Sequence, residues 1–489
     1  MAHSAAIYPG KGRGGVTSAR YRGNLERMKL HEAFEVARGD VVAFVGGGGK
    51  TSALVGLGYE LMEAGWRVLA TTTTYIDEEQ LSLMPFSMRY TGDTDRISDA
   101  LNEHRFVFLY DSIQDGKVLA PRVDWTPRLL DGVDSDVLLI EADKSDGRSF
   151  KAPLANEPAI PNETSLVVPV VALNVLGKSF DATHVYNFQA MSDKYGFYPG
   201  QVVHAPWIGQ ILRDEEMGLK NVPERARVVA FLNQTNEKGY SRQRARLIAR
   251  GALKGSRIHS VAIGSVRAAR PVYEVQRSVG AVVLAAGLST RMGEHKMLLP
   301  WVDEKPIILH IVEQLIRSKL DEIVVVTGHG ADDVKRLLLP LEVNVVHNRK
   351  FKTGEMLSSL KVGIGALPSS CSAAMLVLGD QPRLEPKVVY RVLKTYAENT
   401  SQIVAPSYDK RRGHPMIIGR DYWQEILDLP ETDSLRTVLN AHNDKILYVD
   451  VGTDSVLRDV DTPFDYNQER LRAGLDAVNL ELRRKKPKA

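Results

Sequence analysis

Cysteine is nearly missing: 489 residues hold one, Cys371. No disulfide can close within the chain, and thiolate-rich zinc or iron–sulfur sites are excluded. A reducing, cytoplasmic setting is expected. Long apolar runs are missing too, since none reaches the ~18 residues of a membrane-spanning helix, so no membrane partner is expected. Residues 1–27 lack the apolar stretch of a secretory signal. Nor is there a surplus of charge of one sign. Sixty-three Lys and Arg against 60 Asp and Glu leave a formal +3, which gives no support to a nucleic-acid-binding surface. The local basic clusters lie at the ends: Lys11, Arg13, Arg20, Arg22 and Arg27, then Arg483, Arg484, Lys485, Lys486 and Lys488. Solvated, disordered ends are expected there. The first amphipathic pattern follows Met28, so either Met1 or Met28 is expected as the start.

What the chain does have is length and alternation. Its length exceeds what one core supports. Apolar strand-like runs alternate with helical periods throughout, the pattern of α/β architecture. The runs are Val41–Val45, Arg67–Ala70, Phe106–Tyr110, Val137–Ile140, Leu166–Leu173, Val228–Leu232 and His259–Ile263, then Ala281–Leu284, Glu322–Val326, Val343–Val346, Met375–Leu378, Ile403–Ala405 and Ile446–Val451. Each of the later runs is expected to lead through a turn into a helix, such as Ile307–Leu315 or Ala331–Leu339. The reading is two three-layer α/β domains, P-loop-like over 28–264 and Rossmann-like over 279–480. A basic extension (1–27), a linker without period (265–278) and a basic tail (481–489) complete the chain.

The strongest chemical signal is Val282-Val283-Leu284-Ala285-Ala286-Gly287-Leu288-Ser289-Thr290-Arg291-Met292-Gly293, with Lys296 three residues on. A buried strand ends in small residues whose N–H groups can approach phosphate oxygens. Arg291 and Lys296 add two cations in one loop, suited to a triphosphate attacked at its α-phosphorus. Asp380, just past the run Met375–Leu378, puts a hard carboxylate at a strand end, where open α/β sheets bind ligands and where Mg²⁺ is held. Asp461 is a second candidate ligand, with a helix cap as its equally weighted alternative.

These segments resemble the MobA-like nucleotidyltransferases, and within them the molybdenum cofactor cytidylyltransferases (MocA type). The likeness rests on Leu284–Gly287 through Trp301, Val326-Thr327-Gly328-His329, Gly354–Leu360, Gly379-Asp380-Gln381-Pro382, Gly413-His414-Pro415 and Asp459-Val460-Asp461-Thr462-Pro463. It implies transfer of CMP from CTP, or from another nucleoside triphosphate, to molybdopterin carrying molybdenum, with release of pyrophosphate. It implies that Arg291 and Lys296 hold the triphosphate, and that Asp380 and Asp461 hold Mg²⁺. Leu284, Ala285, Ala286, Gly287, Thr327 and Gly328 would lie along the nucleotide, and Gly354, Ser358, Ser359 and His414 on the pterin side. Glu431–Arg436 departs from the family's usual glycine-bearing turn. Another phosphate acceptor, GTP as donor, or a cofactor carrier or chaperone are the alternatives.

Earlier in the chain, Val41–Val45 runs into Gly46-Gly47-Gly48-Gly49-Lys50-Thr51 and then a helical period. Consecutive glycines leave N–H groups free to wrap phosphate, while Lys50 reaches the terminal phosphates and Thr51 a Mg²⁺. Thr71–Thr74 follows the second strand, and Asp143, in Glu141-Ala142-Asp143, is the candidate acid for the metal. Asn233-Gln234-Thr235-Asn236 lacks the Lys and Asp with which GTPases read guanine. With Lys151-Ala152-Pro153 and Glu157–Pro161, this half resembles the YqeC family, accessory proteins associated with selenium-dependent molybdenum hydroxylases. The resemblance implies a second nucleoside triphosphate here and a molybdenum hydroxylase as client.

Overall fold

The computed structural model describes residues 28–122, 125–320, 322–353 and 355–480. Both basic ends and Gly354 lie outside the described residues. The chain divides into two compact units, one ending at Ser278 (together with Ala397–Thr400) and the other beginning at Val279.

The first unit is built on a nine-stranded sheet. Its order is Val272–Arg277, Ser260–Gly264, Arg227–Asn233, Leu166–Ala172, Asp40–Gly46, Val137–Glu141, Val68–Thr72, Phe106–Tyr110 and Ser87–Arg89. All neighbours are parallel except the first pair. The central strands are buried on both faces, which is why they read as continuous Val, Ile, Leu and Phe rather than alternating. Helices Lys50–Glu63 and Tyr240–Leu253 cover opposite faces, the first packing with Phe44 and Phe106, the second with Leu232 and Ile263.

The segment expected as a linker, 265–278, is not one throughout. Val272–Arg277 is an edge strand, antiparallel to Ser260–Gly264. Its arginines and the proline before it hid a short strand whose first four residues, Val272–Val275, are all buried. Glu274 is buried with them and is paired with Arg242 and Arg246.

In the second unit an eight-stranded sheet runs Asn344–His347, Glu322–Thr327, Val279–Ala285, Ala373–Leu378, Met416–Gly419, Ile403–Tyr408 and Arg411–Arg412, with Ile446–Asp450 also on Ile403–Tyr408. The first four strands are parallel. Helices Ile307–Arg317 and Met356–Gly365 pack on opposite faces. Here the expected strand–helix alternation breaks. Ile403–Tyr408 is followed by Arg411–Arg412 and then by Met416–Gly419, antiparallel to both Ala373–Leu378 and Ile403–Tyr408. Four apolar residues after a proline were too short a run to signal that strand. No described helix is long and apolar enough to cross a membrane.

Candidate functional site

In the second unit, Val279–Ala285 and Ala373–Leu378 lie side by side in parallel register, Leu284 opposite Leu378. The loops that follow them therefore leave the same edge. Gly379 donates its N–H to Leu284 O at 2.9 Å. A side chain at Gly379 would stand 2.6 Å from that oxygen, so only glycine lets the loops cross so closely. Gly328 is confined in the same way, with Ala286 O at 2.4 Å from where its Cβ would be.

The third segment of the site is a loop. Val460 donates its N–H to Asp380 O at 2.9 Å, hanging the 459–461 segment beside Asp380. The helix Pro463–Arg472 is capped by Thr462, whose hydroxyl accepts from Asp465 N, while the Asp465 side chain accepts from Thr462 N. Asp461 is thus not the cap, and its carboxylate is left to the site.

Four charged groups from three segments meet there. Lys296 Nζ lies 3.0 Å from Asp380 Oδ2 and 3.1 Å from Asp461 Oδ1. Arg291 Nη1 is 3.1 Å from Asp461 Oδ2. The Lys296 side chain is 9% exposed and the Arg291 side chain 72%, so one cation is fixed inside and the other faces solvent. Burial by itself would lower the pKa of Lys296; Asp380 and Asp461 outweigh it and hold the ammonium above its ordinary value. Lys296 N also donates to Ser289 Oγ at 3.2 Å, closing the turn that carries both cations.

Gln381, which the family likeness links to the choice of base, and Asp459, which was not singled out from sequence, adjoin the cluster. Gln381 Nε2 donates to Asp459 Oδ1 at 2.8 Å. Burial raises the Asp459 carboxyl, with Gln381 opposing and the charges of Asp380 and Asp461 adding to the rise. The signal was available in the alternation Asp459-Val460-Asp461, which carries two acids around one buried valine.

The remaining expected residues sit apart from this cluster in their bonding. The Thr327 hydroxyl is buried and donates to Val346 O at 3.1 Å, so its side chain serves the sheet edge; Thr327 and Gly328 line a groove of about 660 Å³ with His347 and the helix Ala331–Leu338. Ser358 and Ser359 both accept from Asn348 Nδ2, at 2.8 and 3.0 Å. His414 lines a cavity of about 10 Å³ with Gln381 and Val456, and burial pushes its pKa down to about 4. It is neutral at physiological pH.

In the first unit the strand Asp40–Gly46 delivers Gly46–Gly49 to the start of the helix Lys50–Glu63. Gly46, Gly48 and Gly49 have φ of +89°, +78° and +122°, and a Cβ on Gly48 would lie 2.3 Å from that of Ala172. The loop is therefore closed to other residues. Lys50 and Thr51 are buried. Thr51 Oγ1 donates to Glu141 Oε2 at 2.7 Å, and Lys50 Nζ donates to Ser145 Oγ at 3.2 Å with Glu141 Oε1 3.5 Å away.

The acid on Thr51 is Glu141, while Asp143, the acid expected for the metal, makes other contacts. Glu141 closes the strand Val137–Glu141, opposite Phe44 in register, whereas Asp143 lies beyond it. Asp143 accepts from Gly46 N at 3.0 Å and from Lys151 Nζ at 2.5 Å, and Lys151 also donates to Glu157 Oε2 at 2.8 Å. Burial raises both Glu141 and Asp143, with Lys50 the main opposing charge at Glu141 and Lys151 at Asp143. Thr72 and Thr73 donate to backbone oxygens of Glu141 and Ala159.

Family models match both halves: the YqeC protein over residues 42–189 and the MobA-like NTP transferase domain over 281–446. The chain is 32% identical over 209 residues to the uncharacterized protein YqeC of Escherichia coli K12, covering 41% of this chain and 78% of that protein. It is 24% identical over 190 residues to the molybdenum cofactor cytidylyltransferase of the same organism, covering 39% of this chain and 94% of that one. Among solved structures, Rv0371c from Mycobacterium tuberculosis H37Rv is 26% identical and covers 40% of this chain and 99% of its own, with a TM-score of 0.35. The chain belongs to the YqeC family, and a MobA-like nucleotidyltransferase domain is fused behind its YqeC domain.

Proposed function

We propose that the C-terminal unit transfers CMP from CTP to the terminal phosphate of molybdopterin carrying molybdenum. A phosphate oxygen of the acceptor forms a bond to the α-phosphorus of CTP, the bond from that phosphorus to the bridging oxygen breaks, and pyrophosphate leaves with the bonding pair. The observation that carries this reading is Lys296 held between Asp380 and Asp461, with Arg291 on the far side of Asp461. The relative named for cytidylyl transfer to the molybdenum cofactor supports the choice of donor and acceptor.

Arg291 and Lys296 lie along the triphosphate and stabilise the charge that grows on the departing pyrophosphate. Two carboxylates that already converge on one ammonium fit Mg²⁺, which takes one or two protein carboxylates and completes its shell with phosphate and water. Bound there, Mg²⁺ supplies further positive charge at the phosphates. No side chain is needed as a base, because a phosphomonoester with a second pKa near ~6 is already mostly dianionic. His414 orients the acceptor as a neutral group. Ser358 and Ser359 face the pterin, and Thr327 and Gly328 border the cytosine.

The N-terminal unit binds a second nucleoside triphosphate on Gly46–Thr51, with Thr51 and Glu141 (Asp143 behind it) at its metal. It serves maturation of a molybdenum hydroxylase. The two compact units are the two functional domains.

The deciding experiment measures pyrophosphate release by the full chain with molybdenum-loaded molybdopterin and, separately, with sugar phosphates, across CTP, GTP and ATP. Release that requires both CTP and the pterin is expected. Equal release with sugar phosphates, or with GTP alone, overturns the assignment.

A further inference from the structure

His295, the residue before Lys296, is bonded across to a different strand end. Its Nε2 lies 2.5 Å from the carbonyl oxygen of His329, in the loop that follows Glu322–Thr327. A carbonyl oxygen only accepts, so Nε2 is the nitrogen that carries the hydrogen. The two histidine rings stack with centroids 5.4 Å apart and planes 23° apart. Gly330 completes the seat: its φ is +63°, and a Cβ there would stand 2.4 Å from His295 Cδ2. The other ring nitrogen, Nδ1, is buried and meets no hydrogen-bond partner among the described residues. A bare buried nitrogen costs free energy, and an apolar ring would fill the same space without that cost. The bond from Nε2, and not packing, accounts for an imidazole here.

The cationic turn is thereby held to this loop at both ends. Where the turn begins the backbones touch, since a Cβ on Gly328 would lie 2.4 Å from Ala286 O. Where it ends stands the bond from His295. Between these points the turn carries Arg291, and directly after His295 comes Lys296, whose N–H is fixed on Ser289 Oγ at 3.2 Å. One side chain and one close backbone approach therefore set the span between the two cations and Thr327-Gly328.

We propose that His295 is a positioning residue for the donor nucleotide, fixing the distance between the cations that hold the triphosphate and the loop that borders the base. It acts through these two segments and not on the nucleotide itself. This rests on the reading of Arg291 and Lys296 as the triphosphate site. A nucleotide that bridges two preset halves gains affinity, because seating the triphosphate brings the base to its own place at high effective concentration. Loosening the tie costs that gain and leaves the triphosphate half able to bind by itself.

The test is equilibrium binding of CTP and of inorganic triphosphate, each with Mg²⁺, to the full chain, counting only binding that Arg291→Ala combined with Lys296→Met removes. His295→Phe keeps a ring beside His329 and removes the donor, whereas His295→Gln keeps a donor at the place of Nε2. In the unaltered chain CTP should bind more tightly than triphosphate. His295→Phe should weaken CTP by about three- to tenfold, the worth of one neutral hydrogen bond, and leave triphosphate unchanged. His295→Gln should recover most of that loss. A fall in both ligands together, or full CTP affinity in His295→Phe, overturns the proposal and leaves the triphosphate site standing. If the combined substitution removes no binding of either ligand, the triphosphate site itself fails and the role of His295 with it.

Discussion

The ammonium of Lys296 lies 3.0 Å from the carboxylate of Asp380, joining residues 84 positions apart across two parallel strand ends. That contact turns a basic turn and an acidic turn into one site, and the first two predictions follow from it.

Asp380→Asn keeps the size of the side chain and removes its charge. Pyrophosphate release should fall by about 10²-fold or more, the scale of losing one electrostatic group at a transferring phosphoryl centre. Thermal unfolding should move little, because the Asp380 side chain is 29% exposed. Stopped-flow or coupled pyrophosphate assays read the first and calorimetry the second; unchanged release would assign the metal to another group.

Lys296→Met leaves the carboxylates of Asp380 and Asp461 facing each other without their shared cation. The melting temperature should drop by several degrees, at about 2–4 °C per kcal/mol for a domain of this size. Added Mg²⁺ should restore more of it in the variant than in the unaltered protein, by binding the exposed pair. An equal response to Mg²⁺ in both proteins would argue that these carboxylates do not take the ion.

His414 titrates at about 4 in the fold because it is buried, against an ordinary value of 6.5. A depressed histidine pKa means that the folded state binds fewer protons than the unfolded state between these values. Its stabilising contribution is present above about 6.5 and is lost as pH falls towards about 4. His414→Gln should therefore flatten the acid limb of stability in that window, by an amount on the order of 3 kcal/mol. Denaturant titrations at several pH values would reveal it, and parallel curves for the two proteins would exclude it.

Lys151 is buried between Asp143 and Glu157. Lys151→Met would strand two buried carboxylates, which costs about 3–5 kcal/mol. The unfolding midpoint of the N-terminal unit, followed by hydrogen exchange in the full chain, should fall accordingly. A change below 1 kcal/mol on the same order-of-magnitude scale would mean that the pair is hydrated rather than desolvated.

Much of this was legible in order along the chain. The runs through Val45, Ile140, Leu284 and Leu378 marked parallel strands because strands buried on both faces must be apolar at every position. Gly46–Thr51 and Leu284–Lys296 were legible because a phosphate-approaching turn needs small residues followed by cations. Short antiparallel strands were not. Met416–Gly419 pairs with Ala373–Leu378 and Val272–Arg277 with Ser260–Gly264, and nothing within a strand of four or six residues names its partner.

Sequence alone determined which chemistries were possible here: one cysteine, two glycine-bearing turns after buried strands, and acids spaced at later strand ends. Only the tertiary structure decided the partners. It put Glu141 on Thr51, assigned the helix cap to Thr462 so that Asp461 faces Lys296, and set Asn233 against Gly48. The reason is that local pattern reports burial and backbone conformation, whereas charge pairing depends on which strand ends the sheet order brings side by side.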